Sequence, residues 1–155
     1  MELSTRRIQM SVGRVCVREV DVISAEESAQ VAAQRMHSRK VGTLVVVDVH
    51  GAPIGIVTDR DLTVRVLAMG KDGATTPISS VSRGPLRTVR EDTSIEEAIR
   101  AMRAGPFRRL PVVDDDGQLV GLLSLDDVLE LLSEEFASIG CLLHEEEPSV
   151  LGRSS

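Results

Sequence analysis

The sequence contains no Trp and no Tyr, and its only aromatics of that class are Phe107 and Phe136. A core must therefore be built from Val, Leu, Ile, Ala and Met, and a planar ligand would lie between aliphatic side chains. The same scarcity argues against single-stranded nucleic-acid binding, which relies on aromatic stacking. A net charge of −6 opposes non-specific binding to polyphosphates. Cysteine is nearly missing as well: Cys16 and Cys141 stand far apart, in no metal-ligand spacing, and point to a reducing, cytoplasmic setting. The three histidines, His37, His50 and His144, share no ligand spacing, so no metal site is expected. No apolar run is long enough to span a bilayer, and the polar start Met1–Arg7 is not followed by the apolar stretch of a signal peptide.

What the chain does have is a repeated corner. Gly55-Ile56-Val57-Thr58-Asp59-Arg60-Asp61 places a glycine and an apolar pair before a hydroxyl, with a carboxylate three residues further on. Gly121-Leu122-Leu123-Ser124-Leu125-Asp126-Asp127 repeats it 66 residues later. The offset persists elsewhere. Val15, Ser28, Ala32 and Met36 are matched by Val81, Ser94, Ala98 and Met102, and Leu44, Val46, Val47, Asp48 and Gly51 by Leu110, Val112, Val113, Asp114 and Gly117. This gapless register is an internal duplication.

Within the first half, Val20–Ile23 has strand character, and Ser24 before Ala25-Glu26-Glu27 suggests a helix N-cap followed by acids in the first turn. The helix runs through Ala29, Ala32, Ala33 and Met36 and closes at Arg39 and Lys40. Leu44–Val47 and Pro53–Val57 form a hairpin about the turn Asp48–Gly51. Thr58 then caps a helix through Leu62, Val66 and Met69 that Gly70 ends. Each half thus reads strand, helix, strand, strand, helix. The expected division is a lead over 1–11, a first repeat over 12–70, a linker over 71–77, a second repeat over 78–133, and a helical extension and tail over 134–155. At roughly 55–60 residues neither half buries enough surface to fold alone. The sheets are expected to pack face to face in one α/β module with approximate two-fold symmetry.

This organisation resembles tandem cystathionine-β-synthase (CBS) domains, the pair called a Bateman module. The family corner (glycine, two apolar residues, Ser or Thr, two variable residues, Asp) is met by Gly55, Thr58 and Asp61 and by Gly121, Ser124 and Asp127. The preceding strand Arg109-Leu110-Pro111-Val112-Val113-Asp114 fits closely, and Thr43–Asp48 fits with Val where proline is common. The resemblance covers about residues 12–133.

It implies a regulatory module that binds adenine nucleotides, AMP or ATP first, in clefts between the repeats. By resemblance, the ribose-binding carboxylates are Asp61 and Asp127 and the neighbouring hydroxyls are Thr58 and Ser124. One cleft joins Asp61 to Ser82, Arg87, Phe107, Arg108 and Arg109, with Arg60 beside it. The other joins Asp127 to Cys16, Asp21, Val41 and Gly42. The charges differ. Arg60, Arg87, Arg108 and Arg109 face the first cleft, where Asp126, Asp21, Gly42 and Thr43 correspond for the second. The first is therefore expected to be the phosphate site, because guanidinium groups match phosphate geometry.

Plainer readings stand beside these. Thr58 and Ser124 serve as helix caps in any case, first-turn acids are stabilising without a ligand, clustered arginines form solvated faces, and Phe107 suits a core. No nucleophile has a paired base and no histidine repeats, so an enzyme is not expected. The expectation is a free-standing, energy-sensing CBS pair that needs no cofactor. It would form homodimers through helix faces around Val64, Leu67, Leu129 and Leu132 and signal to a protein partner or through its own assembly. A module for NAD or S-adenosylmethionine, or a ligand-free interaction module, remains the alternative.

Overall fold

In a computed structural model of the chain, residues 10–83, 86–105 and 108–145 are described. The first half carries α1 (Val12–Val15), β1 (Val22–Ser24), α2 (Ala29–Arg39), β2 (Thr43–Val47), β3 (Pro53–Thr58) and α3 (Asp59–Leu62). The second carries a 3-10 turn (Ile78–Ser80), β4 (Val89–Arg90), α4 (Ile95–Arg103), β5 (Arg109–Val113), β6 (Leu119–Ser124) and the long α5 (Leu125–Glu145). Each half forms a three-stranded sheet, β1-β2-β3 and β4-β5-β6, with the first pair parallel and the second antiparallel. The duplication extends to irregularities: the hairpin register slips after Val46 in one sheet and after Val112 in the other.

Three local expectations are corrected. The cap of α2 is Ser28, whose Oγ accepts the Val31 N–H, and not Ser24. Ser24 still belongs to β1, held there by parallel pairing with Val47, while its N–H donates to the Glu27 carboxylate. The first strand starts at Val22 instead of Val20. The helix after Thr58 is α-helical for only one turn and continues as a π-helical segment, Thr63–Leu67. There the Thr63 hydroxyl donates to the Asp59 carbonyl, a side-chain bond that competes with the helical ladder. Gly70, at φ +64°, ends it as expected.

Each repeat also borrows its lid from the other half. Ile78 and Val81 are buried in the core of the first sheet with Ile23, Ala32, Met36, Leu44, Val46 and Val57. Val12 and Cys16 are buried in the core of the second with Ala98, Met102, Leu110, Val112 and Leu123. The exchange is symmetric in its hydrogen bonds. Val12 N donates to Thr93 O at 2.8 Å and Ile78 N to Glu27 O at 2.9 Å; Val17 N donates to Leu122 O and Arg83 N to Ile56 O, both at 3.0 Å. Burying about four aliphatic side chains in the opposite core contributes several kcal/mol, at about 1.5–3 kcal/mol each. On the first sheet Val45 and Ile56, outside these clusters, are buried as well.

Candidate functional site

The two corners are hydrogen-bonded alike. At the first, the N–H and hydroxyl of Thr58 donate to Asp61 Oδ2 at 3.0 and 2.8 Å, and the Asp61 N–H returns a bond to Thr58 Oγ1 at 3.2 Å. At the second, Ser124 donates from its N–H and hydroxyl to Asp127 Oδ2 at 2.8 and 2.6 Å, and the Asp127 N–H donates to Ser124 Oγ at 3.1 Å. Strand ends thus become helix starts through a reciprocal cap three residues long, which is why hydroxyl and carboxylate keep that spacing. The two glycines serve close approach. A Cβ at Gly55 would stand 3.2 Å from Ser82 Oγ, and one at Gly121 2.8 Å from Cys16 Sγ.

The corners differ in the second carboxylate oxygen. Asp61 is 1% exposed, and its Oδ1 accepts from Arg83 Nε at 2.7 Å, with Arg65 Nε at 3.9 Å. Asp127 is half-buried, and among the described residues no cation pairs with it. Arg83 was not singled out from the sequence. The clue was its offset: it stands 66 residues after Val17, which touches the other corner through the Leu122 carbonyl.

A cleft of about 530 Å³ opens at the first corner, lined by Ile56, Thr58, Asp59, Arg60, Asp61, Arg83, Arg108 and Arg109. The structure thus brings Thr58, Arg60, Asp61, Arg108 and Arg109 together. Ser82 sits half-buried behind Gly55 and is not part of the lining, and Arg87 is exposed and also outside it. Phe107 lies outside the described residues. The fourth guanidinium here belongs to Arg83, in place of Arg87.

The second cleft, about 270 Å³, is lined by Asp21, Val41, Gly42, Ser124 and Asp127, with Val17, Glu19, Val20, Thr43, Leu122 and Arg109. Cys16 is buried beneath Gly121 in the second core. Burial foremost pushes its thiol above the ordinary value. Asp126 is exposed and does not line this cleft; the additional acid is Glu19. Asp21 is paired with Arg39 Nε at 2.7 Å. Thr43 Oγ1 is buried on this lining without a hydrogen-bond partner. Arg109 lines both clefts and, among the described residues, is the one cation lining the second.

These matched corners, each between a strand pair and a helix, define a tandem pair of α/β repeats, and comparison gives the family. The model of the CBS domain matches residues 12–68 and again 78–134, so the chain belongs to the CBS domain family as a tandem pair. It is 37% identical over 122 residues to the uncharacterized protein MK0525 of Methanopyrus kandleri, a match covering 79% of this chain and 62% of that one. It is 36% identical over 118 residues to the CBS domain-containing protein YhcV of Bacillus subtilis, covering 76% and 82%. The crystal structure of the CBS-pair protein CBSX2 from Arabidopsis thaliana superposes with a TM-score of 0.71 at 26% identity, covering 82% of this chain and 96% of that one. CBS pairs are regulatory, ligand-binding modules. Among the described residues no helix is long and apolar enough to cross a membrane.

Proposed function

We propose that this CBS pair senses adenine nucleotides, AMP or ATP first, and that the Asp61 cleft is its phosphate-holding site. The observation that carries the reading is the convergence of Arg60, Arg83, Arg108 and Arg109 on one cleft beside a buried carboxylate. Guanidinium groups pair with phosphate oxygens in two-pronged hydrogen bonds. Support from the α3 dipole is small, because the α-helical part is only four residues long. The chain acts as a regulator and not as an enzyme, in the cytoplasm, and the same cleft geometry explains its output. Arg108 and Arg109 come from the second repeat and Thr58 and Asp61 from the first, so a ligand bridging them favours one relative placement of the halves.

A thermal-shift series with AMP, ADP, ATP, NAD and S-adenosylmethionine tests this, since a ligand that binds only the folded state raises its midpoint. AMP or ATP should give the largest rise, and Asp61→Ala should reduce it more than Asp127→Ala. A larger loss from Asp127→Ala overturns the ranking, and no rise at millimolar concentration favours a ligand-free interaction module. Native mass spectrometry of the purified protein checks the same point by the mass of any retained ligand. The second cleft supports a less charged adenosyl ligand. Its lining sets Arg109 against Glu19 and Asp127, with Asp21 already paired to Arg39, and it offers the unpartnered hydroxyl of Thr43.

Assembly is the other arm of the reading. Val64, Leu67 and Met69 are exposed beside Arg60, Arg65 and Lys71, whereas Leu129, Leu132 and Phe136 are exposed beside Glu130, Glu134 and Glu135. One chain therefore presents an apolar face of mixed charge, where Arg60, Arg65 and Lys71 stand with Asp59 and Asp72, and an acidic apolar face. A two-fold related copy matches each to the other.

A further inference from the structure

The two corners share a pattern of cap hydrogen bonds and differ in the residue that meets the second carboxylate oxygen. Val17 and Arg83 occupy matched places, each donating its N–H to the middle of the last strand of a sheet at 3.0 Å, to Leu122 and Ile56 respectively. At the second corner this position is aliphatic and leaves the carboxylate alone. At the first it delivers a guanidinium onto Asp61 Oδ1 at 2.7 Å.

We propose that Arg83 is the specificity-determining residue of the first cleft: it holds Asp61 Oδ1 and yields it only to a ligand whose phosphate takes over the guanidinium, so the cleft accepts nucleoside phosphates and refuses nucleosides. This rests on the adenine-nucleotide reading above. Asp61 Oδ2 is already occupied by the N–H and hydroxyl of Thr58, and the carboxylate is buried, so a ribose hydroxyl pair reaches it only when Arg83 withdraws. Withdrawal leaves a buried carboxylate without its nearest charge partner, which a neutral sugar compensates poorly. A phosphate changes the balance. The released guanidinium acquires a doubly charged partner in a cleft that Arg60, Arg108 and Arg109 also line, and the sugar hydroxyls satisfy Asp61. The Arg83 side chain is 43% exposed, so it has room to turn. The exchange also bears on the connection between repeats. Arg83 follows the segment that carries Ile78 and Val81 into the first core.

The test is calorimetric titration of the full chain with AMP and with adenosine, in an Asp127→Asn background that neutralises the second cleft. With Arg83 present, AMP should bind at least about 30-fold more tightly than adenosine, the scale of one or two charge-assisted contacts. In Arg83→Val, which copies the second corner, adenosine should tighten and AMP weaken, so that the ratio falls by about tenfold or more. Arg83→Lys keeps the charge but not the planar fork, and should give a ratio between the two. It carries the test if the valine variant melts early. A ratio unchanged by either substitution, with AMP still bound, overturns the inference and leaves the nucleotide reading standing. No binding of AMP or adenosine to any of the proteins overturns that reading and the inference with it.

Discussion

Cys16 Sγ lies 2.8 Å from the place a Cβ on Gly121 would occupy, and the carbonyl of Val17 lies 3.1 Å from it. The matched contact at Gly55 is looser, with Ser82 Oγ at 3.2 Å. Gly121→Ala should therefore cost about 1–3 kcal/mol, the range of core overpacking, and Gly55→Ala less than about 1 kcal/mol. Because the shortest contact is with the Cys16 sulfur, Cys16→Ala combined with Gly121→Ala should recover part of the loss, read as a coupling energy in urea denaturation, and the Val17 carbonyl should keep the rest. Equal costs for the two glycines, or strict additivity with Cys16→Ala, would sink this account.

The same contact protects a thiol. Cys16 is buried in the second core and its thiol is pushed up by desolvation, whereas Cys141 is exposed on α5. Thiolate is the reactive form. Native protein at neutral pH should release one equivalent of chromophore rapidly from a disulfide reagent, abolished by Cys141→Ser, and the second only on unfolding. Two rapid equivalents would mean that α1 opens readily from the second repeat.

Much of this architecture was legible because duplication doubles every signal. The offset of 66 residues aligned Ser28 with Ser94, and both prove to be caps. Ser24 misleads because its acids Glu26 and Glu27 imitate a helix start, while Glu27 in fact braces the end of β1. That Thr58 and Ser124 start helices was legible, since capping is local; that Asp61 and Asp127 close the cap by accepting from the same residues is what the structure adds. The exchanged segments are not legible from composition or periodicity. The resemblance alone places Cys16 with the second corner and Ser82 with the first, and Val12 looks like a residue of its own half until a tertiary contact shows which core it enters. Arg83 was hidden for the same reason. It meets Asp61 across 22 positions of chain, and Arg87, equally basic and four residues on, was an equally good choice from composition.

Acid should remove a contribution at the start of α2. The Glu27 carboxyl is held below its ordinary value by the hydrogen bond from Arg35 foremost, at 2.8 Å, and then by the Ser24 N–H. Asp48 is lowered as well, chiefly by the Ala52 N–H in the hairpin turn. A carboxyl lowered on folding adds stability above its unfolded pKa, about 4.3 for Glu, and loses that contribution as pH falls through the folded value. Glu27→Gln should thus be less stable than the parent at neutral pH, and the gap should close below about pH 4. Urea midpoints at neutral and acid pH measure this; a gap that widens in acid contradicts it.

The long helix makes the strongest claim on assembly. Leu129, Leu132, Phe136, Ile139 and Leu143 recur at alternating steps of three and four along α5, and all are exposed, Phe136 by 72%. That is the spacing of a coiled-coil seam, which holds its apolar stripe toward a partner helix. The seam runs past residue 134, where the CBS match ends, so its outer part serves no core within the repeat. Its flanks are acidic, with Glu130, Glu134 and Glu135, and a seam flanked by one sign repels its own copy in parallel. Arg65 and Lys71 beside Val64 and Leu67 of a second copy would relieve that repulsion, so the expected pairing sets α5 against the segment after α3. Light scattering should give a dimer at micromolar concentration. Phe136→Ser with Ile139→Ser should shift it to monomer with little change in the folding of the repeats. Lys71→Glu should weaken pairing, and Lys71→Glu with Glu134→Lys should restore it. A dimer indifferent to Phe136 and Ile139 would place the interface elsewhere, and a dimer strengthened by Lys71→Glu would reject the charge pairing.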